Sequence, residues 1–159
     1  MSRNLKKILI NKLKNQIPKQ LIDLIPGRYP VIGQALILSI SPKLLPYAKK
    51  IGEKILEEVK YVRSVWIKKG PTEGIYREPK LECIAGDCNP VVLHKELNTW
   101  FKINISKLTF SPGNRGEREK LIKIVKRGQV IVDMYAVSYT HLRAHETEAE
   151  LVCRLLLEK

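Results

Sequence analysis

Residues 130–136 read Val-Ile-Val-Asp-Met-Tyr-Ala, an apolar run with the character of a buried strand that carries one acidic residue, Asp133. A strand of this kind normally opens a nucleotide-binding α/β domain by running into a glycine-rich turn that cradles the ligand. That turn does not follow. Ala136 leads instead into Val137-Ser138-Tyr139-Thr140-His141, which has no glycine. The break divides the chain into a front of one character, residues 1–136, and a tail of another, residues 137–159. A domain that begins with this strand needs more sheet than the chain supplies, so the stretch from Arg115 to Ala136 is expected to expose apolar surface and to limit solubility.

The tail has its own signature. Val137–Thr147 resembles a sequencing-library adapter translated in one frame, and Leu151–Lys159 resembles the primer that lies beyond its index. Glu148, Ala149 and Glu150 fall where the index varies and carry no match. The tail is therefore expected to be non-native. His141-x3-His145-Glu146, with Cys153 nearby, imitates a helical metal site, because histidines four residues apart share a face. Every member lies in the tail, so no metal is expected there, and Leu151–Leu157 is discounted as a partner helix for the same reason.

Setting the tail aside sharpens the charge. The whole chain has 29 Lys+Arg against 16 Asp+Glu. Removing Arg143, Arg154 and Lys159, and Glu146, Glu148, Glu150 and Glu158, leaves 26 against 12 in residues 1–136. So positive a balance favours a polyanionic partner, since Lys and Arg displace counterions from phosphates. A generally solvated basic surface is the plainer alternative. The longest apolar run of the front half, Ala35-Leu36-Ile37-Leu38, is too short to span a bilayer. Asn11, Lys12, Lys14 and Asn15 interrupt the apolar N-terminus, which excludes a secretory signal. Cys83 and Cys88 form a lone C-x4-C pair, a weak metal signal more often read as structural thiols. A reduced, cytoplasmic, monomeric protein is expected.

Periodicity gives an α+β chain. Leu5, Ile8, Leu9, Leu13 and Ile17 recur at helical spacing with Lys6, Lys7, Lys12 and Lys14 on other faces, marking residues 1–25 as a basic helical segment. Pro18 interrupts it, and Lys19–Ile25 reads as a short second turn before Pro26-Gly27. Val31–Ile40 reads as a buried strand. Pro42 opens a helix to about Lys60, with Leu44, Leu45, Ala48, Ile51, Ile55, Leu56 and Val59 as its apolar stripe. Further strands are expected at Val62–Lys68, Ile75–Ala85, Val91–Lys95 and Thr99–Ile105. Strand, helix, strand and an antiparallel run resemble a small ferredoxin-like domain over residues 26–109. Leu108–Pro112 is the connector, Arg115–Lys126 a helix, and Gly128 its stop.

Phe110-Ser111-Pro112, Glu117-Arg118 and Val132-Asp133-Met134-Tyr135-Ala136 occur in that order. The combination resembles the family of archaeal and eukaryotic tRNA guanine-N1 methyltransferases and wybutosine-pathway aminocarboxypropyltransferases. Gly74-Ile75-Tyr76-Arg77 and Leu81-Glu82-Cys83-Ile84-Ala85-Gly86 resemble its middle domain, so the likeness covers roughly residues 20–136. The resemblance implies S-adenosylmethionine as cofactor and tRNA as partner, with the purine 3′ of the anticodon as target. It also implies that residues 110–136 are the first helix and strand of a truncated Rossmann-like transferase domain, so that this chain itself is expected to be inactive.

Site roles follow by resemblance alone. Glu117 matches the general base of the methyltransferases, a role that suits a carboxylate whose pKa burial raises. Asn114-x-x-Glu117 is equally a capping box at a helix start. Arg77 matches an arginine that hydrogen-bonds the target base and stabilises charge on its carbonyl oxygen; otherwise it is a surface arginine. Asp133 and Tyr135 match the first cofactor-binding strand, where Asp133 could equally be a simple strand end.

Two features favour the aminocarboxypropyl branch. Gly113-Asn114 follows Phe-Ser-Pro where the methyltransferases typically have arginine. The chain ahead of the middle domain is also too short for the extra N-terminal domain those enzymes usually carry, taking Met1 as the start. Both carbons beside the sulfonium are electrophilic, so geometry selects the group transferred. Two other classes stay open: a tRNA-binding module without catalysis, and a membrane-surface protein using the Leu5–Ile17 helix.

Overall fold

The computed structural model describes residues 2–74 and 77–125, with the side chains of residues 2–4 left aside. The chain forms two compact units, which along the described residues are 2–71 with 80–89, and 72–79 with 90–125. Asp133, Tyr135, the strand expected over residues 130–136 and the tail lie outside the described residues.

The first unit begins with α1 (Ser2–Leu13) and the single turn α2 (Lys19–Ile22). Leu9, Leu13 and Ile17 are almost wholly buried and join Ile22 and Ile25 in the unit's core. The apolar stripe of α1 is thus spent on packing, which removes the face that a membrane-surface helix would need. Lys12 forms an ion pair with Glu58, and the Lys6 ammonium donates to the Asp23 carbonyl at 3.2 Å. Part of the basic face of α1 is therefore committed within the unit.

The expected strand Val31–Ile40 is a hairpin. β1 (Val31–Ile32) turns at Gly33 and returns as β2 (Ala35–Leu38), pairing Val31 with Leu36 and Ile32 with Ala35. Gly33 has φ of +58°, a backbone state that glycine adopts without a Cβ clash. The helix expected from Pro42 starts as a 3-10 helix, Pro42–Tyr47, and becomes α3 only at Ala48–Glu58. Pro46 lies inside the 3-10 stretch and has no N–H to give to an α-helical ladder.

α3 is the crossover between β2 and β3 (Ser64–Lys68), which lie side by side and parallel. Every residue of β2 is buried, as are Ser64 to Ile67 of β3. Leu36, Leu38, Val65 and Ile67 share the core with Ile51 and Ile55 of α3. Burial of both faces is the usual condition of parallel strands joined by a helix. β4 (Leu81–Gly86) completes the sheet antiparallel to β3, in the order β1-β2-β3-β4. A Cβ on Gly52 of α3 would come within 2.9 Å of the Ala85 Cβ, so glycine is what lets this helix approach the sheet.

Ferredoxin-like order is not found among the described residues. A split β-α-β arrangement places another strand between the two joined by the helix, whereas β2 and β3 are direct neighbours. Mixed α and β structure is found as expected. The cysteines depart from expectation as well: Cys83 and Cys88 are joined in a disulfide, not held as free thiols. Cys83 is the third residue of β4 and Cys88 lies just past its end, so the bond ties the strand to the loop that leaves the unit.

The second unit holds the hairpin β5 (Val91–Glu96) and β6 (Thr99–Asn104), a 3-10 turn at Pro112–Asn114, and α4 (Arg115–Ile124). Leu97 and Asn98 form a two-residue turn with φ of 48° and 65°. Positive φ at both central positions marks the turn type whose twist matches a hairpin. Asn takes that conformation readily and Leu does not. Leu121, Ile122 and Ile124 of α4 are exposed. No helix among the described residues is long and apolar enough to cross a membrane.

Candidate functional site

The second unit gathers the Phe-Ser-Pro and Glu-Arg motifs around one buried carboxylate. Glu96 ends β5 and is 6% exposed. Arg118 of α4 reaches it as a fork, donating from Nε to Oε1 at 2.6 Å and from Nη2 to Oε2 at 2.9 Å. The same Nη2 donates to the Ser111 carbonyl at 3.0 Å. The guanidinium carbon lies 5.0 Å from the Phe110 ring centroid, and the His94 ring meets that phenyl edge-on at 4.9 Å. His94 Nε2 is 3.5 Å from Glu96 Oε2. One arginine thus contacts the hairpin, the phenyl ring and the backbone of the Phe-Ser-Pro motif together.

Burial alone would push the Glu96 carboxyl up. The hydrogen bonds and charge of Arg118, helped by His94, outweigh it and hold the group below the usual carboxylate value. The carboxylate is therefore ionised and matched to a planar donor fork, the geometry in which arginine surpasses lysine.

Arg77 belongs to this unit although it lies 32 residues before Thr109, which precedes the motif. Glu73 and Glu78 bridge across a tight loop, and Arg77 sits in it with φ of 51°. The Thr109 hydroxyl donates to the Arg77 carbonyl at 3.0 Å, fixing the loop to the residue that precedes Phe110. Arg77 itself is exposed.

Glu117 lies in the first turn of α4 with its side chain 73% exposed, paired to Lys120 at 3.0 Å. The enclosure on which its general-base role depends is not found among the described residues. The capping-box alternative is not realised either: Asn114 stands at the N-cap without a side-chain cap bond. No contact among the described residues joins the Glu117 and Arg77 side chains. Asp133 and Tyr135 are outside the described residues, so no cofactor geometry is assigned.

Sequence reasoning missed Glu96 and passed over Arg118. The signal for Glu96 was available, since it occupies an inward position of a strand whose neighbours Val92 and His94 also face inward. A carboxylate there requires a partner.

Gly113 bears on the branch of the family. Its Cβ position is 3.7 Å from the Ser111 hydroxyl, an ordinary contact, and its φ is not in the left-handed region. The backbone would accept a side chain here, so the fold does not force glycine at this position.

Taken together, the described residues define a mixed α/β chain whose second unit is organised by an Arg-clamped Phe-Ser-Pro motif. Residues 9–89 match the TYW2 N-terminal domain and residues 92–151 the TRM5/TYW2 methyltransferase domain. The chain belongs to the TRM5/TYW2 family. The second match begins ahead of the boundary expected at residue 110 and runs beyond Ala136.

Two curated relatives and one solved structure place the chain within that family. The tRNA(Phe) (4-demethylwyosine(37)-C(7)) aminocarboxypropyltransferase of Pyrococcus horikoshii is 36% identical over 124 residues, covering 78% of this chain and 44% of that protein. The tRNA (guanine(37)-N(1))-methyltransferase Trm5b of Pyrococcus abyssi is 33% identical over 139 residues, covering 86% of this chain and 42% of that protein. The crystal structure of P. horikoshii TYW2 in complex with MeSAdo superposes with a TM-score of 0.62 at 30% identity, over 76% of this chain and 41% of the other. The chain thus spans somewhat over two fifths of the length of these relatives.

Proposed function

We propose that this chain is part of an S-adenosylmethionine-dependent transferase that modifies the purine 3′ of the tRNA anticodon, by aminocarboxypropyl transfer in wybutosine-type biosynthesis. The observation that carries the reading is the Thr109–Arg77 bond, which sets the Arg77 loop against the segment leading into Phe110-Ser111-Pro112. Two stretches that resemble the family far apart in sequence thereby belong to one compact unit. In this reading Arg77 holds the target base and offers its charge to the base's carbonyl oxygen. Glu117 receives the proton that the base loses, once bound tRNA has enclosed it. S-adenosylmethionine supplies the electrophilic carbon, and Asp133 and Tyr135 are its proposed contacts. The front of the chain, with 26 basic residues against 12 acidic, favours the anionic substrate. A monomer working in the cytoplasm completes the proposal.

Aminocarboxypropyl transfer is favoured by Gly113-Asn114, because a Cβ at Gly113 would make only an ordinary contact, so the fold does not itself require glycine where the methyltransferases carry arginine. Guanine-N1 methylation is the second reading, supported by the Trm5b relative. The test is to incubate the whole protein of which this chain is proposed to be part with tRNA and S-adenosylmethionine labelled either in the methyl group or in the carboxyl carbon. Carboxyl label entering tRNA that bears 4-demethylwyosine supports the first reading. Methyl label entering tRNA with an unmodified guanine supports the second. Salt-sensitive tRNA binding without transfer of either label reduces the function to that of a binding module.

A further inference from the structure

The β5–β6 hairpin has two faces, and the Glu96–Arg118 site uses only one. Val92, His94, Glu96, Phe101 and Ile103 point inward, while the other face carries Val91, Leu93, Lys95, Trp100, Lys102 and Asn104. The antiparallel register sets Lys95 opposite Trp100 and Leu93 opposite Lys102. Trp100 is 59% exposed and Leu93 60%. The Lys95 ammonium lies 5.5 Å from the Trp100 ring centroid. This face has no carboxylate. The ribbon behind it is closed by the two-residue turn at Leu97 and Asn98, and Arg118 braces its inner side through Glu96.

We propose that this outer face is a stacking platform for an unpaired nucleotide of RNA, with the base on the Trp100 indole and the adjoining phosphates on Lys95 and Lys102. An indole displayed in water with a cation over its ring offers the two interactions that a nucleotide requires. The ring stacks on any base, and the ammonium, displaced from the ring by the base, meets the phosphate of the same nucleotide. Unpaired bases stack on aromatic side chains in this manner, whereas bases within a duplex keep their faces covered. Two lysines without a carboxylate, in a chain of 29 basic and 16 acidic residues, select an anionic ligand over an apolar protein surface. The platform lies on the side of the hairpin opposite the clamped motif. It rests on the tRNA-binding reading above.

The test follows tryptophan emission of the full chain during titration with single-stranded oligoadenylate, a blunt RNA duplex, and phosphatidylserine vesicles. Trp66 is 5% exposed and serves as the internal reference. Oligoadenylate should quench Trp100, and Trp100→Ala should weaken its binding about tenfold. Trp100→Phe should keep most of the affinity, and Lys95→Gln with Lys102→Gln should lower the salt slope by about 1.4 units. Equal binding of oligoadenylate by wild type and Trp100→Ala overturns the platform, as does vesicle binding without oligoadenylate binding. In a parallel titration with tRNA, binding by wild type with unchanged Trp100 emission overturns the platform and leaves the tRNA reading intact. Retention of neither RNA overturns both.

Discussion

Arg118 and Glu96 meet through two parallel hydrogen bonds, although 22 residues separate them in the chain. The pair joins the first turns of α4 to the end of β5, and the spare reach of Arg118 fixes the Ser111 carbonyl. Replacing Arg118 with Ala strands a buried carboxylate and should destabilise the second unit by about 3 kcal/mol in denaturant unfolding. Arg118→Lys should recover only part of this, because an ammonium cannot fill both oxygens in one plane. Full recovery by lysine would show that charge alone suffices.

The same pair should give the fold an acid limit. Glu96 has a lower pKa folded than unfolded, so its contribution is present above the unfolded carboxylate value and disappears as pH falls through the folded one. Wild type should therefore lose stability below about pH 4. Glu96→Gln should be less stable near neutrality and should lose less between pH 5 and pH 3, as read from urea midpoints across that interval. Parallel curves for the two proteins would remove Glu96 from the acid transition.

The disulfide closes a short loop at the end of β4. Chain-entropy arguments give such a loop about 2 kcal/mol. Thermal unfolding with and without dithiothreitol should show that loss in wild type and none in Cys83→Ser. An unchanged midpoint on reduction would mean that the bond adds nothing to the fold.

Two glycines should respond oppositely to alanine. Gly86 has φ of +85°, and a Cβ there would lie 2.1 Å from the Arg63 carbonyl oxygen, which is backbone and cannot swing away. Gly86→Ala should cost about 2 kcal/mol or more. Gly113→Ala meets no such obstacle and should stay within about 0.5 kcal/mol of wild type. Circular dichroism melts of the two variants side by side decide this.

Glu117 separates stability from chemistry. Its side chain is largely in solvent, so Glu117→Gln should leave unfolding within about 0.5 kcal/mol of wild type. If it is the general base, the same change in the whole protein of which this chain is proposed to be part should lower label transfer to tRNA by at least about a hundredfold. Unaltered transfer would leave Glu117 as a partner of Lys120 and nothing more.

The legible parts of this fold were those written in side-chain period. The α3 stripe of Ile51 and Ile55 and the strands expected at Val91–Lys95 and Thr99–Ile105 lie where the sequence placed them. The losses came where one residue overrides a run. Gly33 folds an apolar stretch into a hairpin, and Pro46 holds the start of a helix in 3-10 form. The inward place of Glu96 was readable from its strand, but its partner was not, because Arg118 lies 22 residues away, a separation that local periodicity does not reach. Arg118 stood within a recognised motif, yet its work is mechanical support of that motif, which a motif alone does not reveal. Asp133 and Tyr135 lie outside the described residues.

The chain does not traverse its two units once and move on. It leaves the first after residue 71, spends 72–79 with the second, returns for β4, and leaves again after residue 89. The loop bearing Arg77 is therefore an early instalment of the second unit, spliced between two paired strands of the first. A single junction near residue 90 would separate that loop from the motif it adjoins. Homologous recombination within this family could exchange the halves as cassettes only by carrying two crossovers more, so the loop and the clamped motif should be inherited from one parent in any viable chimera.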